Sequence, residues 1–388
     1  MKWGAGEVSW LEAAPFAFPG TTPSGVVNGP SGNPRRFPHL LQWRGRAGFS
    51  PDFHDPLHPS MLSFMCTEDG EAAQDCWGWA PGSCGELFQG MIRGRWVQVA
   101  CPCHRGRWAQ VVSHTPSPRG RRPLLPKSRQ LLERWKARTS SDDWGPSRSH
   151  RILTPEAVRM GGDELYPGAG LGSSTAELGA LLGALHAWDS GSRLLDAFAA
   201  SHRALEVEPT NGTFHPGLTL FDHREGRVME PLGPVPPLLA LVLVGGPVDT
   251  VAFNRRLPAR LPELALAGWA EALALLREGV TGGDLEAVGR AVSASAELSR
   301  HLAPRPLLPE LRRVASEVGG LGVIASHSGS AMGILGATDE PSILEEARAR
   351  LEGRFSGYAR VLLWAAPGGI RFGRGLPPTA VSPMVGAT

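Results

Sequence analysis

Residues 166–176, Tyr-Pro-Gly-Ala-Gly-Leu-Gly-Ser-Ser-Thr-Ala, constrain this chain more than any other stretch. Glycines alternate at Gly168, Gly170 and Gly172, give way to Ser173, Ser174 and Thr175, and lead into an Ala/Leu-rich helical pattern from Glu177 to Trp188. Glycine accepts left-handed backbone angles and lets main-chain N–H groups approach a ligand, while a helix N-terminus offers unpaired amides and the positive end of its dipole. The stretch reads as a loop-to-helix junction suited to an anion such as phosphate. An ordinary turn and helix cap is the competing reading.

Two familiar phosphate loops fit badly. A Walker loop needs Gly-Lys-Ser/Thr, and the chain carries lysine only at Lys2, Lys127 and Lys136, none close to the loop in sequence. Main-chain amides are therefore expected to grip the anion in place of a lysine. A dinucleotide-binding loop follows a buried strand and has an acidic residue about 20 positions on. Here Arg159 to Leu165 is too polar and glycine-rich to read clearly as that strand.

Pro167-x-x-Gly170-Leu171-Gly172-Ser173-Ser174-Thr175-Ala176 resembles the second motif of the GHMP kinases, the group containing homoserine, mevalonate and galactose kinases. Three further blocks narrow the resemblance to the L-threonine kinases of cobalamin synthesis: Ala80 to Gly90, Glu208-Pro209-Thr210-Asn211 with Leu218 to His223, and Ala325 to Ser330. They occur in the expected order between residues 77 and 376.

That resemblance implies an α+β fold of two domains, a ribosomal protein S5 domain 2-like N-terminal domain over 76–233 and a ferredoxin-like C-terminal domain over 234–376, with an extension over 1–75 and a tail over 377–388. It implies ATP and Mg²⁺ as cofactors and a small hydroxy amino acid, foremost L-threonine, as substrate. Pro167, Gly168, Ala169, Gly170, Leu171, Gly172, Ser173, Ser174, Thr175 and Ala176 would bind ATP, with Ser174 and Glu208 on the metal and Glu206 in reserve. Magnesium takes hard oxygen ligands and keeps several waters, so one hydroxyl and one carboxylate suffice. Ser83, Glu86, His327, Ser328 and Gly329 would bind substrate, Glu86 through its amino group or by orienting the nucleotide. Each has a structural alternative: a surface glutamate at Glu86, a solvated loop acid at Glu208, a hairpin turn at Ser328 and Gly329. His223 and His327 read more readily as structural histidines.

One position departs from the pattern. Asn211 and Gly212 stand where the threonine kinases carry aspartate and serine, and asparagine cannot accept the substrate hydroxyl proton. The candidate catalytic set is then Asn211, Glu86 and Asp222, with three outcomes open: Asn211 orients the hydroxyl and the phosphate takes the proton, Asp222 reaches in as base, or catalysis is weakened. Kinases of other hydroxy amino acids or specialised metabolites, and an impaired member that binds nucleotide or metabolite as a regulator, are the alternatives.

Composition excludes little and bounds the rest. A chain of 388 residues suits two domains, and a net charge of +2 argues for neither nucleic acid nor a membrane surface as partner. Arginines crowd 93–151, but Trp96, Trp108 and Trp135 are spaced too irregularly for an interleaved nucleic-acid patch. The 5 cysteines form no disulfide pattern, Cys101-Pro102-Cys103-His104 lacks the second ligand pair of structural zinc, and Cys84 reads as packing rather than a nucleophile. No apolar run approaches the roughly 18 residues of a membrane span and no signal sequence opens the chain, so a cytoplasmic location is expected.

Patterning begins at Trp77. Leu87-Phe88 and Trp96–Val99 read as strands joined at Gly94, Trp108–Val112 as another strand, and Ser128–Ala137, Ser174–Trp188 and Leu194–Leu205 as helices. Leu238–Val244 reads as a buried strand, 262–277, 284–298 and 307–318 as helices, 322–325 and 331–335 as paired strands, 343–351 as a helix and 358–364 as a strand. Residues 1–75, rich in Pro, Gly and Ser, are expected to be disordered.

Overall fold

Arg93 and Gly94 take φ angles of 50° and 74°, the mirror-turn geometry that matches the twist of paired strands. They close a hairpin between two 17-residue strands, β1 (Cys76–Ile92) and β2 (Arg95–Val111). The computed structural model describes residues 75–113, 124–139, 153–189, 194–227, 229–258 and 260–375, all within one unit, Glu68–Thr388. The expectations for 1–74 and 376–388 lie outside the described residues.

β1 bends midway. Its register against β2 shifts between Pro81 and Ser83, Ser83 and Glu86, and Glu86 and Phe88, so one strand serves two directions of the sheet. This is why Trp96–Val99 and Trp108–Val112, read as two strands, belong to the single β2: a continuous strand passes through the polar stretch between them. Four more strands were missed as elements. β3 (Val158–Gly162) and β10 (Arg371–Arg374) are edge strands with few buried side chains, while β4 (Leu218–Phe221) and β5 (Met229–Gly233) are short. None carries a clear period of two.

Among the described residues the sheet has ten strands in the order β5-β4-β2-β1-β7-β8-β6-β9, with β10 on β1 and β3 on β2. Here β6 is Leu238–Val244, β7 Gly322–Ala325, β8 Met332–Ala337 and β9 Ala359–Trp364. Pairing is antiparallel throughout. Strands from before residue 234 and strands from after it meet where Glu86 of β1 pairs with Ala325 of β7. The chain end then returns to the first half, Cys76–Trp79 pairing with Arg371–Arg374.

Helices cover the sheet. α2 (Ser173–Asp189) is buried on nearly every face and approaches β1 so closely that a Cβ on Gly78 would lie 2.1 Å from the Ala180 carbonyl oxygen. α1 (Pro126–Thr139) and α3 (Ala197–Leu205) share its apolar cluster, through Leu131, Leu132, Ala200 and Ala204. The short α4 (Thr250–Arg255) is capped by Asp249, whose carboxylate accepts from the amides of Val251 and Ala252. α5 (Glu263–Gly282) ends at left-handed Gly283, and α6 (Leu285–Leu298) starts at the next residue but one, with Asp284 accepting from Ala287 N–H. α7 (Leu308–Val318) and α8 (Pro341–Arg350) pack on β6, β7 and β8 through Leu308, Leu311 and Leu344. α5 and α6 join β1, β2, β6 and β9 in a core reached from both halves, including Leu87, Phe88, Trp269, Leu276 and Leu363.

Candidate functional site

The glycine loop owes its shape to a second turn. Gly168, Gly170 and Gly172 all adopt left-handed φ, at 76°, 89° and 70°. A Cβ on Gly170 would lie 2.4 Å from Ser326 Cβ, and a Cβ on Gly329 would lie 1.9 Å from the Ala169 carbonyl oxygen. The loop and the 326–330 turn touch backbone to backbone, and the Ala331 N–H donates to the Ala169 carbonyl at 3.0 Å. Side chains at either glycine would separate them.

Beneath that turn lies Arg305, which sequence reasoning missed. Its buried guanidinium donates to the carbonyls of Ser326 (2.7 Å), His327 (2.8 Å) and Gly329 (3.0 Å) and to the Ser299 hydroxyl (3.1 Å). No carboxylate neutralises it at salt-bridge distance among the described residues. Burial lowers its pKa to about 10, so it stays charged.

A cleft of about 410 Å³ opens beside the loop. Gly168, Gly170, Gly172, Ser173, Ser174 and Thr175 line it, with Lys127, Glu208, Asn211, His223, Asn254, Glu86, Gln98, His327 and Ser328. Pro167, Ala169, Leu171 and Ala176 do not; the last three face the core. They shape the loop rather than touch its contents.

At one end of the cleft Ser174 Oγ donates to Glu208, and the Lys127 ammonium sits on the same carboxylate and 3.2 Å from Ser174 Oγ. The absence of lysine near the loop in sequence therefore misleads: the start of α1 delivers Lys127 from a distant segment. Glu206, the reserve acid, instead pairs with Arg138 and Arg134 and lies outside the cleft lining. Ser174 and Glu208 suit a hard divalent cation, since their oxygens already converge on a positive charge. No group of three His, Cys, Asp or Glu side chains stands ready for a metal among the described residues, so phosphate and water oxygens would complete such a shell. Behind Ser174, buried Glu177 pairs with Arg107 at 3.2 Å; burial, against the pull of Arg107 and Lys127, raises its pKa.

Asn211 borders Gly172. Its Oδ1 accepts from the Thr213 hydroxyl (2.8 Å) and N–H (3.2 Å), capping a short 3₁₀ turn over Gly212–Phe214. The amide nitrogen faces the loop, 3.0 Å from where a Gly172 Cβ would be. What Asn211 presents there is a donor.

Asp222 does not reach in. Its carboxylate accepts from the amides of Arg224, Glu225 and Arg227 and lies 3.8 Å from Arg95. It organises the turn after β4, and the three amides fix it away from the cleft. Ser83 is likewise engaged: its hydroxyl donates to the Gly85 carbonyl at 2.7 Å, and its N–H holds the Leu171 carbonyl at 2.9 Å. Gly329 lies behind the lining, locked on Ala169.

The other end is a buried polar floor. Glu86, 5% exposed, has its pKa raised to about 8 by burial, which outweighs the His327 N–H bond and the Arg305 charge. His223 and His327 stand with ring centroids 4.4 Å apart. Burial lowers His223 to about 4 and His327 well below its ordinary value. Burial holds both toward the neutral form and both border the cleft, His327 as the substrate-binding candidate that the resemblance implied and His223 as a residue that sequence alone read as structural.

The cysteines near the first motif are placed for packing. Cys84, Cys101 and Cys103 are buried free thiols, and the neighbouring thiols and burial push Cys84 upward, away from the reactive thiolate. His104 Nδ1 accepts from Trp364 N–H at 3.1 Å. No described helix is long and apolar enough to cross a membrane.

No family model matches the chain. It is 30% identical over 274 residues to the L-threonine kinase of Salmonella typhimurium, covering 69% of this chain and 83% of that protein. Against the L-threonine kinase of Citrobacter freundii it is 29% identical over 259 residues, 66% of this chain and 84% of the relative. Among solved structures, the mevalonate diphosphate decarboxylase of Enterococcus faecalis superposes with a TM-score of 0.55 at 13% identity, over 78% of this chain and 99% of that one.

Proposed function

We propose, since this chain belongs to the GHMP kinases as a relative of the L-threonine kinases, that it transfers the γ-phosphoryl group of ATP to the side-chain hydroxyl of L-threonine, giving O-phospho-L-threonine. One observation supports the site most: the left-handed glycine loop, Ser174, Glu208 and Lys127 converge on the same end of one cleft.

Phosphoryl transfer asks the protein mainly for positioning and for neutralised charge. The amides of the loop and of the first turn of α2 would receive the phosphates. Ser174 Oγ and Glu208 would hold Mg²⁺, which when bound would offset the negative charge of the phosphates. Lys127, long and half-exposed, would turn from Glu208 to a phosphate oxygen and add its charge there. Asn211 would orient the acceptor hydroxyl as a donor, leaving its proton to pass to the phosphate late in the transfer.

The product would serve the aminopropanol linker of the cobalamin nucleotide loop; cobalamin synthesis undiminished in a deletion strain would remove that part of the proposal. Work in the cytoplasm would suit the need for ATP and is supported by Cys84, Cys101 and Cys103, which are buried thiols outside any disulfide. ADP release measured with L-threonine, L-serine and L-homoserine tests the reaction. Threonine should give the highest kcat/KM. Absence of turnover with all three, in protein that binds Mg·ATP, would overturn the assignment.

A further inference from the structure

We infer that Glu86, Gln98, His223 and His327 form an acceptor cage for a primary ammonium group, so that the molecule bound here must carry a free, positively charged amine. The kinase reading supplies the reaction; the cage is argued from its own atoms.

Four buried side-chain atoms of the cleft lining lack a hydrogen-bond partner among the described residues: Glu86 Oε2, Gln98 Oε1, His223 Nδ1 and His327 Nε2. Neighbours fix the ring tautomers. The Gln89 amide nitrogen donates to the Ala325 carbonyl at 3.1 Å, so its oxygen faces His327 Nδ1 at 3.2 Å. That nitrogen must carry the hydrogen, and in a neutral ring Nε2 is left bare. Similarly the Asn254 amide nitrogen donates to the Thr250 carbonyl at 2.9 Å and its oxygen faces His223 Nε2 at 3.1 Å. His223 Nδ1 is then the bare one. With the Gln98 amide oxygen and the Glu86 carboxylate once it ionises, all four unpartnered atoms offer acceptors to a ligand.

Buried acceptors without donors are costly, and natural sites keep them for a ligand that supplies the hydrogens. A primary ammonium brings three N–H donors and one positive charge. The charged groups acting on this floor are Arg305, already engaged with carbonyls, on Glu86 and His327, Arg224 on both histidines, and Asp222 on His223, its carboxylate already held by three amides. Glu86 is thus the group that can answer the cation. With its pKa near 8, it is mostly protonated at pH 7 in the free protein and loses that proton to solvent when the ammonium arrives.

Calorimetry on the full-length protein at pH 7, in buffers of different ionisation enthalpy, tests this with L-threonine, L-threoninol (amine without carboxylate) and 3-hydroxybutyrate (carboxylate without amine). Threonine and threoninol should bind with release of close to one proton, and 3-hydroxybutyrate at least 100-fold more weakly. Glu86→Gln should abolish the release and weaken threonine binding by a similar factor. Gln98→Leu should weaken it without touching the release. Equal affinity for 3-hydroxybutyrate, or threonine binding without proton release, overturns the cage whatever the variants do. Efficient phosphorylation of 3-hydroxybutyrate would sink the cage and leave the kinase standing. Threonine bound with proton release but never phosphorylated would do the reverse.

Discussion

The Lys127 ammonium lies 3.2 Å from the Ser174 hydroxyl although 47 residues separate them. Ser174 and Glu208 therefore already meet around a cation. If Lys127 hands over to Mg²⁺ and moves to phosphate, Lys127→Ala should cut kcat by about 10²-fold, near 2.7 kcal/mol. Stability should change by less than about 1 kcal/mol, because the lysine is half-exposed. Steady-state kinetics with thermal melting checks both; unchanged turnover would remove Lys127 from the site.

Ser174→Ala and Glu208→Gln each withdraw one oxygen ligand. Each should lower turnover by roughly 10²-fold or more, with a higher Mg²⁺ requirement. Because the two act on one ion, the double variant should lose much less than the product of the single losses. Full additivity in the double-mutant cycle would refute a shared metal.

Asn211→Asp discriminates between a missing base and a selected amide. Aspartate and asparagine cap equally well, so stability should hold within about 0.5 kcal/mol. With Oδ1 committed to Thr213, the second carboxylate oxygen would face the glycine loop. The expected result is a raised KM for ATP and reduced kcat/KM. Higher kcat would instead reveal a base that Asn211 does not supply.

Sequence reading succeeded where structure is local. The helix read from Asp284 starts where Asp284 caps α6, and the unbroken apolar run Leu238–Val244 matches β6 from end to end, while the helix read as ending at residue 277 continues to Gly282. The glycine loop was legible from its residues, Ser174 and Glu208 were singled out through the family resemblance, and all three line one cleft. What stayed hidden depends on distant segments meeting. Lys127 and Arg305 resemble the other cations of the chain until α1 and the 326–329 turn are placed. The histidines disclose their neutral state only through burial and through Gln89 and Asn254. Asp222 had the right chemistry, and nothing local revealed that three amides of its own turn hold it.

Arg305→Met should leave the carbonyls of Ser326, His327 and Gly329 without their donor. Buried acceptors stripped in this way cost about 1–3 kcal/mol each, so a loss of at least about 3 kcal/mol in urea denaturation is expected, with weakened nucleotide binding as the turn relaxes. Arg305→Lys should recover part of both. A Met variant with wild-type stability would show that the guanidinium holds nothing.

The pH profile of stability should carry two opposed signatures. Folding raises Glu86 from 4.5 to about 8, so the folded state holds the extra proton and stability declines as pH climbs through that window. Folding lowers His223 from 6.5 to about 4 and moves His327 the same way, so stability declines as pH drops below about 6.5. Of these three groups Glu86 alone acts between pH 6.5 and 8, and Glu86→Gln should flatten the decline there. A wild-type-like slope in that variant, measured by denaturant midpoints, would contradict the buried acid.

The backbone contact between Gly170 and Gly329 makes the two segments templates for one another. Neither can be varied alone: a bulkier residue on one side has no room to be answered by trimming the other, which is already glycine. Grafting this loop into a different scaffold would thus require carrying the 326–330 turn and its arginine along with it. In mutational libraries, tolerated changes should cluster outside this seam.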